Sequence, residues 1–148
     1  MATVRKLLEE KRNSTLHTIP ADKTVLQALQ IMGDANTGAV LVTRDEKIVG
    51  IFTERDYARE GELKGRSAKD TLVGSVMTKE LVSVFPETTV QECAELMAKY
   101  NVRHLPVVEK DKIVGVVSLR RLAEALLEEQ KGTIIELENY IQGTGYGR

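Results

Sequence analysis

Cysteine and histidine are nearly absent from this chain: Cys93 stands alone, and His17 and His104 are the two histidines among 148 residues. One thiol cannot close an internal disulfide, and two histidines with one cysteine make no plausible metal cluster. No apolar run approaches the length of a bilayer span and the N-terminus carries no secretory apolar region, so the sequence reads as cytoplasmic. Neither charge sign dominates. A net charge of −1 argues against a general nucleic-acid or membrane surface, although local basic clusters can still hold a small anion. A Walker-type glycine loop and a nucleophile elbow are also missing, which speaks against an enzyme.

What the chain does have is a stretch that occurs twice. Ile48-Val49-Gly50-Ile51-Phe52-Thr53-Glu54-Arg55-Asp56-Tyr57 returns, 65 residues later, as Ile113-Val114-Gly115-Val116-Val117-Ser118-Leu119-Arg120-Arg121-Leu122. Sliding residues 24–55 onto 89–120 without a gap gives ten identities: Thr24, Val25, Met32, Asn36, Val42, Lys47, Ile48, Val49, Gly50 and Arg55. This is an internal duplication. Pro20 and Pro86 also correspond if one residue is dropped between Pro20 and Thr24. A unit of this size is marginal alone, so two units sharing a core are the natural arrangement. The 42% apolar and 29% charged residues fit a soluble globular protein.

Within a copy, Leu16 to Ile19 can form a strand ending at Pro20, and Thr24 then caps a helix with Val25, Ala28, Leu29 and Met32 on one face. The second copy repeats that face as Val90, Cys93, Ala94 and Met97, which places Cys93 in the core as a small residue. The other reading, a reactive thiol, would want a nearby base, and both histidines are distant in sequence. Ala39 to Thr43 and Ile48 to Thr53 flank Arg44-Asp45-Glu46-Lys47 as a hairpin, and Leu105 to Val108 and Ile113 to Ser118 do the same around residues 109–112. Pro106 cannot donate to a ladder, so its strand should be paired on one side only or be irregular at its start. Strand passes to helix at Thr53 and at Ser118.

The fold class predicted is α+β: two β-α-β-β-α repeats packed as one pseudo-symmetric pair, with terminal helices. The expected divisions are an N-terminal helix over 1–13, opened by a cap at Thr3, a first repeat with its linker over 14–75, a second repeat over 76–128, and a C-terminal helix and tail over 129–148. The glycine-bearing stretch 61–75 is the expected linker. Near the end, a helix from about Leu119 to Lys131 should stop at Gly132. A capping box over Thr133-Ile134-Ile135-Glu136 then opens a second helix with Ile134, Leu137 and Ile141 on one side, followed by a frayed tail.

Thr53-Glu54-Arg55-Asp56 after Gly50, Val76-Met77-Thr78 opening the second unit, and Arg103-His104-Leu105-Pro106-Val107-Val108 within it resemble, in that order inside a duplication, the paired cystathionine-β-synthase-type (CBS) repeats. The resemblance covers about residues 14–128, and Glu138-Asn139-Tyr140-Ile141-Gln142-Gly143 is similar to the ending of stand-alone single-pair members. It implies a disc-like Bateman module in which two sheets leave two clefts for adenine-containing ligands: AMP, ADP, ATP, NAD or S-adenosylmethionine. It implies neither a metal nor catalysis, but a regulatory module that signals by a change of conformation or association, works as a homodimer docked through helix faces, and acts on a regulated protein not identified by the motifs. Two other readings stand beside it: a structural dimerisation module with empty clefts, and a nucleotide-processing enzyme.

Thr53 and Asp56 carry two compatible readings. Their spacing is that of a capping box, while a helix start offers free amides to a phosphate and a carboxylate there can accept both hydroxyls of a ribose. The resemblance gives Asp56 the ribose. In the second copy Ser118 is kept but Arg121 replaces Asp56, and a guanidinium can donate to phosphate yet accept nothing, so the two clefts should differ. Arg103 and His104 stand where the first copy has Gly38 and Ala39; they read either as phosphate contacts or as a solvated arginine and a backbone-bonded histidine. By resemblance these two, with Val102, Thr78 near the sugar and Val82 beside the base, complete the cleft whose ribose carboxylate is Asp56. Arg55, Arg59 and Arg120 are further phosphate candidates, each also readable as a solvated helix arginine. His17 has no assigned role.

Overall fold

A computed structural model describes residues 2–10 and 16–139, the side chains of 132–137 and 139 excepted. The elements are α1 (Val4–Glu10), β1 (Thr18–Pro20), α2 (Val25–Ala35), β2 (Ala39–Arg44), β3 (Lys47–Thr53), α3 (Glu54–Asp56), α4 (Val90–Tyr100), β4 (His104–Glu109), β5 (Lys112–Ser118) and α5 (Leu119–Asn139). A π-helical turn over Tyr57–Gly61 and a 3₁₀ turn over Glu62–Lys64 follow α3, and another 3₁₀ turn spans Val73–Ser75. The expected α+β class and its two repeats are what the chain forms.

The identities between the copies fall where the backbone needs particular chemistry. Thr24 and Thr89 cap α2 and α4 through reciprocal boxes, their hydroxyls accepting the N–H of Gln27 at 3.2 Å and of Glu92 at 3.1 Å. Asn36 and Asn101 end those helices in the left-handed region, at φ 53° and 52°, where asparagine is among the best tolerated non-glycine residues. Val25, Ala28 and Met32, and their counterparts Val90, Cys93 and Met97, are buried. Burial, with Glu92 nearby, pushes the Cys93 thiol up to about 11, which makes it an inert core residue as its position in the repeat implied. Each hairpin turns on two residues, Asp45-Glu46 (φ 53° and 65°) and Lys110-Asp111 (φ 51° and 64°). Both have the mirror-turn geometry that matches strand twist without a glycine, and each loop is shorter than the polar tetrapeptide suggested.

By contact the chain divides into two compact units, Thr15–Val82 and Met1–Ser14 with Ser83–Arg148. In the first, β1 runs parallel to β2 and β2 antiparallel to β3, over a core of Ile19, Val25, Ala28, Met32, Val40, Val42, Phe52, Val73 and Val76. In the second, β4 and β5 form the hairpin and the leading strand shrinks to a single parallel bridge, Val84 to Val107. Proline explains the loss. In the first repeat the N–H of Leu41 donates to the His17 carbonyl at 2.9 Å and that of Ala21 to the Thr43 carbonyl at 2.8 Å. The matching donors 65 residues on are Pro106 and Pro86, and neither has an N–H. Only the two bonds around Val84 remain, Val84 to the Pro106 carbonyl and Val108 to the Val84 carbonyl. Val84 therefore matches Ile19 with no gap, and Pro86 takes the place of Ala21, not that of Pro20.

Each repeat is completed by the segment that precedes the other in sequence. Residues 68–78 bond to the first repeat: Val25 N–H to the Thr71 carbonyl at 2.8 Å, Val73 N–H to Lys23 at 2.8 Å, and Ile51 with Thr78 in both directions at 2.9 and 2.8 Å. The segment opening with α1 does the same for the second, through Val4 to Thr88 at 2.9 Å, Arg5 to Pro86 at 2.8 Å and Val90 to Ala2 at 3.0 Å. Val76-Met77-Thr78, which its sequence places at the opening of the second unit, is thus bonded into the first. At the chain's end α5 runs through Gly132 without the expected break, because a helix-interior glycine costs only about 1 kcal/mol against alanine and strong helix formers precede it. The side chains of the expected Thr133–Glu136 box, the Ile134, Leu137 and Ile141 face, and the tail lie outside the described residues.

The repeated glycines admit these segments unequally. A Cβ on Gly50 would lie 2.6 Å from Met77 Sδ and 2.8 Å from the Thr78 carbonyl oxygen, whereas on Gly115 it would meet only Leu8, at 2.6 Å from Cδ2. A leucine methyl can rotate away; a carbonyl held in a two-way bridge cannot. We expect Gly50→Ala to cost about 1–3 kcal/mol and Gly115→Ala distinctly less, measured by urea unfolding. Equal losses would contradict this account of the close approach.

Candidate ligand site

The site begins where β3 runs out. Thr53 has extended backbone, φ −122° and ψ 166°, and caps the turn that follows: its hydroxyl accepts the Asp56 N–H at 3.2 Å. Asp56 answers with Oδ2, which accepts the Thr53 N–H at 3.0 Å and the Thr53 hydroxyl at 3.1 Å. Its second oxygen, Oδ1, accepts the Thr78 hydroxyl at 2.9 Å. Thr78 is brought there by the bridge to Ile51, on the strand that leads to Thr53. Three donors thus converge on one half-buried carboxylate, and two of them are hydroxyls, groups that can release it and turn to another partner.

The helix expected after Thr53 begins as α3 and continues directly into the π-helical turn Tyr57–Gly61 and the 3₁₀ turn Glu62–Lys64. The Tyr57 ring lies on Gly61, where a Cβ would come within 3.4 Å of it, and its hydroxyl donates to Glu62 Oε2 at 3.0 Å, a bond that raises the Tyr57 pKa. Gly65, at φ 70°, ends the segment. Arg59 is exposed and Arg55 half-buried. Val82, half-buried, closes this unit in sequence.

In the other unit the same junction is built with different chemistry. Ser118 keeps the cap, accepting the Arg121 N–H at 3.1 Å. The Arg121 side chain reaches α1 instead of its own cap, Nη2 donating to Glu10 Oε2 at 2.9 Å, while Nη1 lies 3.9 Å from Glu124 Oε2 and, though buried, makes no hydrogen bond. Arg120, largely exposed, pairs with Glu124 at 3.4 Å. His104 sits opposite Ser118 in the ladder, and the Arg103 carbonyl accepts the Leu119 N–H at 2.8 Å while its side chain is exposed. Half-buried Val102 donates its N–H to the Met97 carbonyl at 3.1 Å.

The structure therefore gathers Thr53, Asp56 and Thr78 in one unit, and sets Val102, Arg103, His104, Ser118, Arg120 and Arg121 around the corresponding junction of the other. Sequence reasoning missed Glu10. No local signal marks it, because its pairing with a residue 111 positions away depends on which repeat α1 docks against. Among the described residues no group of three or more side chains could hold a metal ion, and no helix is long and apolar enough to cross a membrane.

Duplicated sheet-and-helix units, with a Thr-x-x-Asp cap at the end of the hairpin's second strand and a second hydroxyl on its carboxylate, point to a class of protein, and comparison with known proteins places the chain in it. The chain belongs to the CBS domain family, whose family model matches residues 4–62 and 73–128; it is a tandem CBS pair, a regulatory module by class. It is similar to the CBS domain-containing protein CBSX3, mitochondrial, of Arabidopsis thaliana, 39% identical over 130 residues that make up 84% of this chain and 63% of that protein, so the chain spans less than two thirds of that relative's length. A protein with CBS domains from Burkholderia ambifaria MC40-6, whose name places it in signal transduction, superimposes with a TM-score of 0.83 at 36% identity over 87% of this chain and 96% of that one. The CBS domain pair of protein MJ0100, solved with 5′-methylthioadenosine and S-adenosyl-L-methionine, shares the fold at a TM-score of 0.72 and 21% identity over 84% and 99% of the chains.

Removing the Asp56 side chain leaves the Thr53 hydroxyl on the residue 56 N–H but takes away the reciprocal half of the box, so that the Thr53 N–H and the Thr78 hydroxyl lose their acceptor. We expect Asp56→Ala to lose about 0.5–2 kcal/mol in urea unfolding and Asp56→Asn to retain most of that stability, since an amide oxygen still caps. Equal losses for the two would show that the cap is not what Asp56 contributes to folding. Cys93 should stay unmodified by a thiol reagent at pH 8 until the chain is unfolded; labelling of the folded protein at the rate of a free thiol would contradict its burial.

Proposed function

We propose that this CBS pair is a non-catalytic sensor of adenine nucleotides, and that Asp56 takes the ribose of AMP, ADP, ATP or NAD. The observation that carries the reading is the Asp56 carboxylate, half-buried and ringed by the exchangeable hydroxyls of Thr53 and Thr78. A ribose diol can supply the same two donations, while the freed threonine hydroxyls turn to the ligand's acceptors. At this junction Arg55 and Arg59 supply cationic groups for phosphate and Val82 apolar surface for the base; at the junction of the second repeat Arg103, His104 and Val102 are the corresponding candidates. That the MJ0100 pair was solved with adenosine-bearing ligands supports the class of molecule, not the residues.

The output is a change in conformation or association. A homodimer is part of the proposal, and α5 offers it Leu119, Leu126 and Leu127, exposed at 44, 38 and 58%. So are a cytoplasmic location, a separate regulated protein, and the absence of nucleic-acid, membrane and metal partners. The alternative is a structural dimerisation module with no ligand, and what favours it is that both Asp56 oxygens are already satisfied internally.

Melting curves decide between them. A nucleotide at one hundred times its dissociation constant adds about 2.7 kcal/mol when it binds only the folded chain, or roughly 5–10 °C for a protein of this size. AMP, ATP or NAD should produce that rise, without release of product from ATP or NAD. Asp56→Asn should abolish most of it while remaining folded. No rise with any of the three at millimolar concentration would leave the structural reading.

A further inference from the structure

The position that carries the proposed ribose acceptor in the first repeat has another occupation in the second. Arg121 cannot accept a hydrogen bond from a sugar hydroxyl in any protonation state a protein allows. Its charge is also already balanced: Glu10 Oε2 stands 2.9 Å from Nη2 and Glu124 Oε2 3.9 Å from Nη1. The side chain is only 20% exposed, so this pair is less screened than a surface one, and a phosphate arriving there would have to displace Glu10 and face Glu124. Glu10 is the last residue of α1, the helix whose segment completes this unit through its bonds to Pro86, Thr88 and Val90 and whose Leu8 lies against Gly115. At its start α1 is tied again, Arg5 pairing with Glu87 at 2.9 Å and Glu109 at 2.6 Å across an exposed surface.

We infer that Arg121 has exchanged a ligand contact for an internal clasp: it holds the end of α1 onto the second repeat, so that this junction fastens the N-terminal segment while the ribose is taken at Asp56. The second half of the inference rests on the adenine-nucleotide reading; the clasp does not.

Arg121 is the more buried partner, 20% exposed against 42% for Glu10. Removing the Glu10 charge therefore leaves a half-buried guanidinium with only Glu124 at 3.9 Å, which is worse than removing both members. Hydrogen exchange on the full-length, ligand-free chain reads this directly. The reporters are the amides of Val4, Arg5 and Val90, with the Val25 amide, bonded to Thr71, as the control. Glu10→Gln should speed exchange at the three reporters about three- to tenfold and leave Val25 unchanged, and Glu10→Gln with Arg121→Met should exchange more slowly than Glu10→Gln alone. Reporters that do not respond to Glu10→Gln, or a double variant that exchanges as the sum of its parts, overturn the clasp. Titration calorimetry with AMP separates the two readings. One site per chain supports the exchange of roles, two sites of comparable affinity overturn it, and no binding at all sinks the adenine reading while the amide data still decide the clasp.

Discussion

The two-way backbone bond between Ile51 and Thr78 is the constraint on which the candidate site depends. It can form because Gly50 presents no side chain to Met77 and to the Thr78 carbonyl, and it positions the Thr78 hydroxyl against Asp56 Oδ1. Were that segment held by side-chain packing alone, its register could drift; a bridge bonded in both directions fixes it. The carboxylate is then oriented from two sides, by the cap it forms with Thr53 and by a hydroxyl brought from 22 residues away. Such a carboxylate is pre-aimed, and a ligand that uses it loses little freedom in doing so.

Duplication explains how one scaffold carries two different junctions. The groups that shape the backbone are common to both repeats: the capping threonines, the asparagines in left-handed conformation, the buried faces of α2 and α4, the glycines on β3 and β5. The groups at the strand-to-helix junctions are not. Asp56 becomes Arg121, Gly38 and Ala39 become Arg103 and His104, and prolines remove the leading strand's outer bonds in the second repeat. The scaffold tolerates these exchanges at small local cost: Arg121 gives up the reciprocal half of the cap while Ser118 keeps the other half, and the effect of the prolines stops at the shortened strand.

Much of this was legible before any coordinates. The helix faces, the cap at Thr24, the strand-to-helix junctions at Thr53 and Ser118, the two hairpins and the Thr53–Asp56 pair all follow from residues close together in sequence, where spacing is geometry. What escaped was set by segments meeting at long range. Glu10 gave no sign of its bond to Arg121, and Val76-Met77-Thr78 gave none of its attachment to the repeat before it. One local expectation fails for a local reason: an interior glycine costs a helix only about 1 kcal/mol, too little for Gly132 to end α5.

The central claim is that Asp56, held by Thr53 and Thr78, is where a nucleotide's ribose binds. An amide-resolved NMR titration of the full-length chain with AMP tests it most directly. The account predicts that the Thr53, Asp56 and Thr78 amides shift together and saturate at one dissociation constant, while Arg121 and Val4 stay in place. Saturating shifts at Arg121 and Val4 with Asp56 and Thr78 unmoved would contradict it.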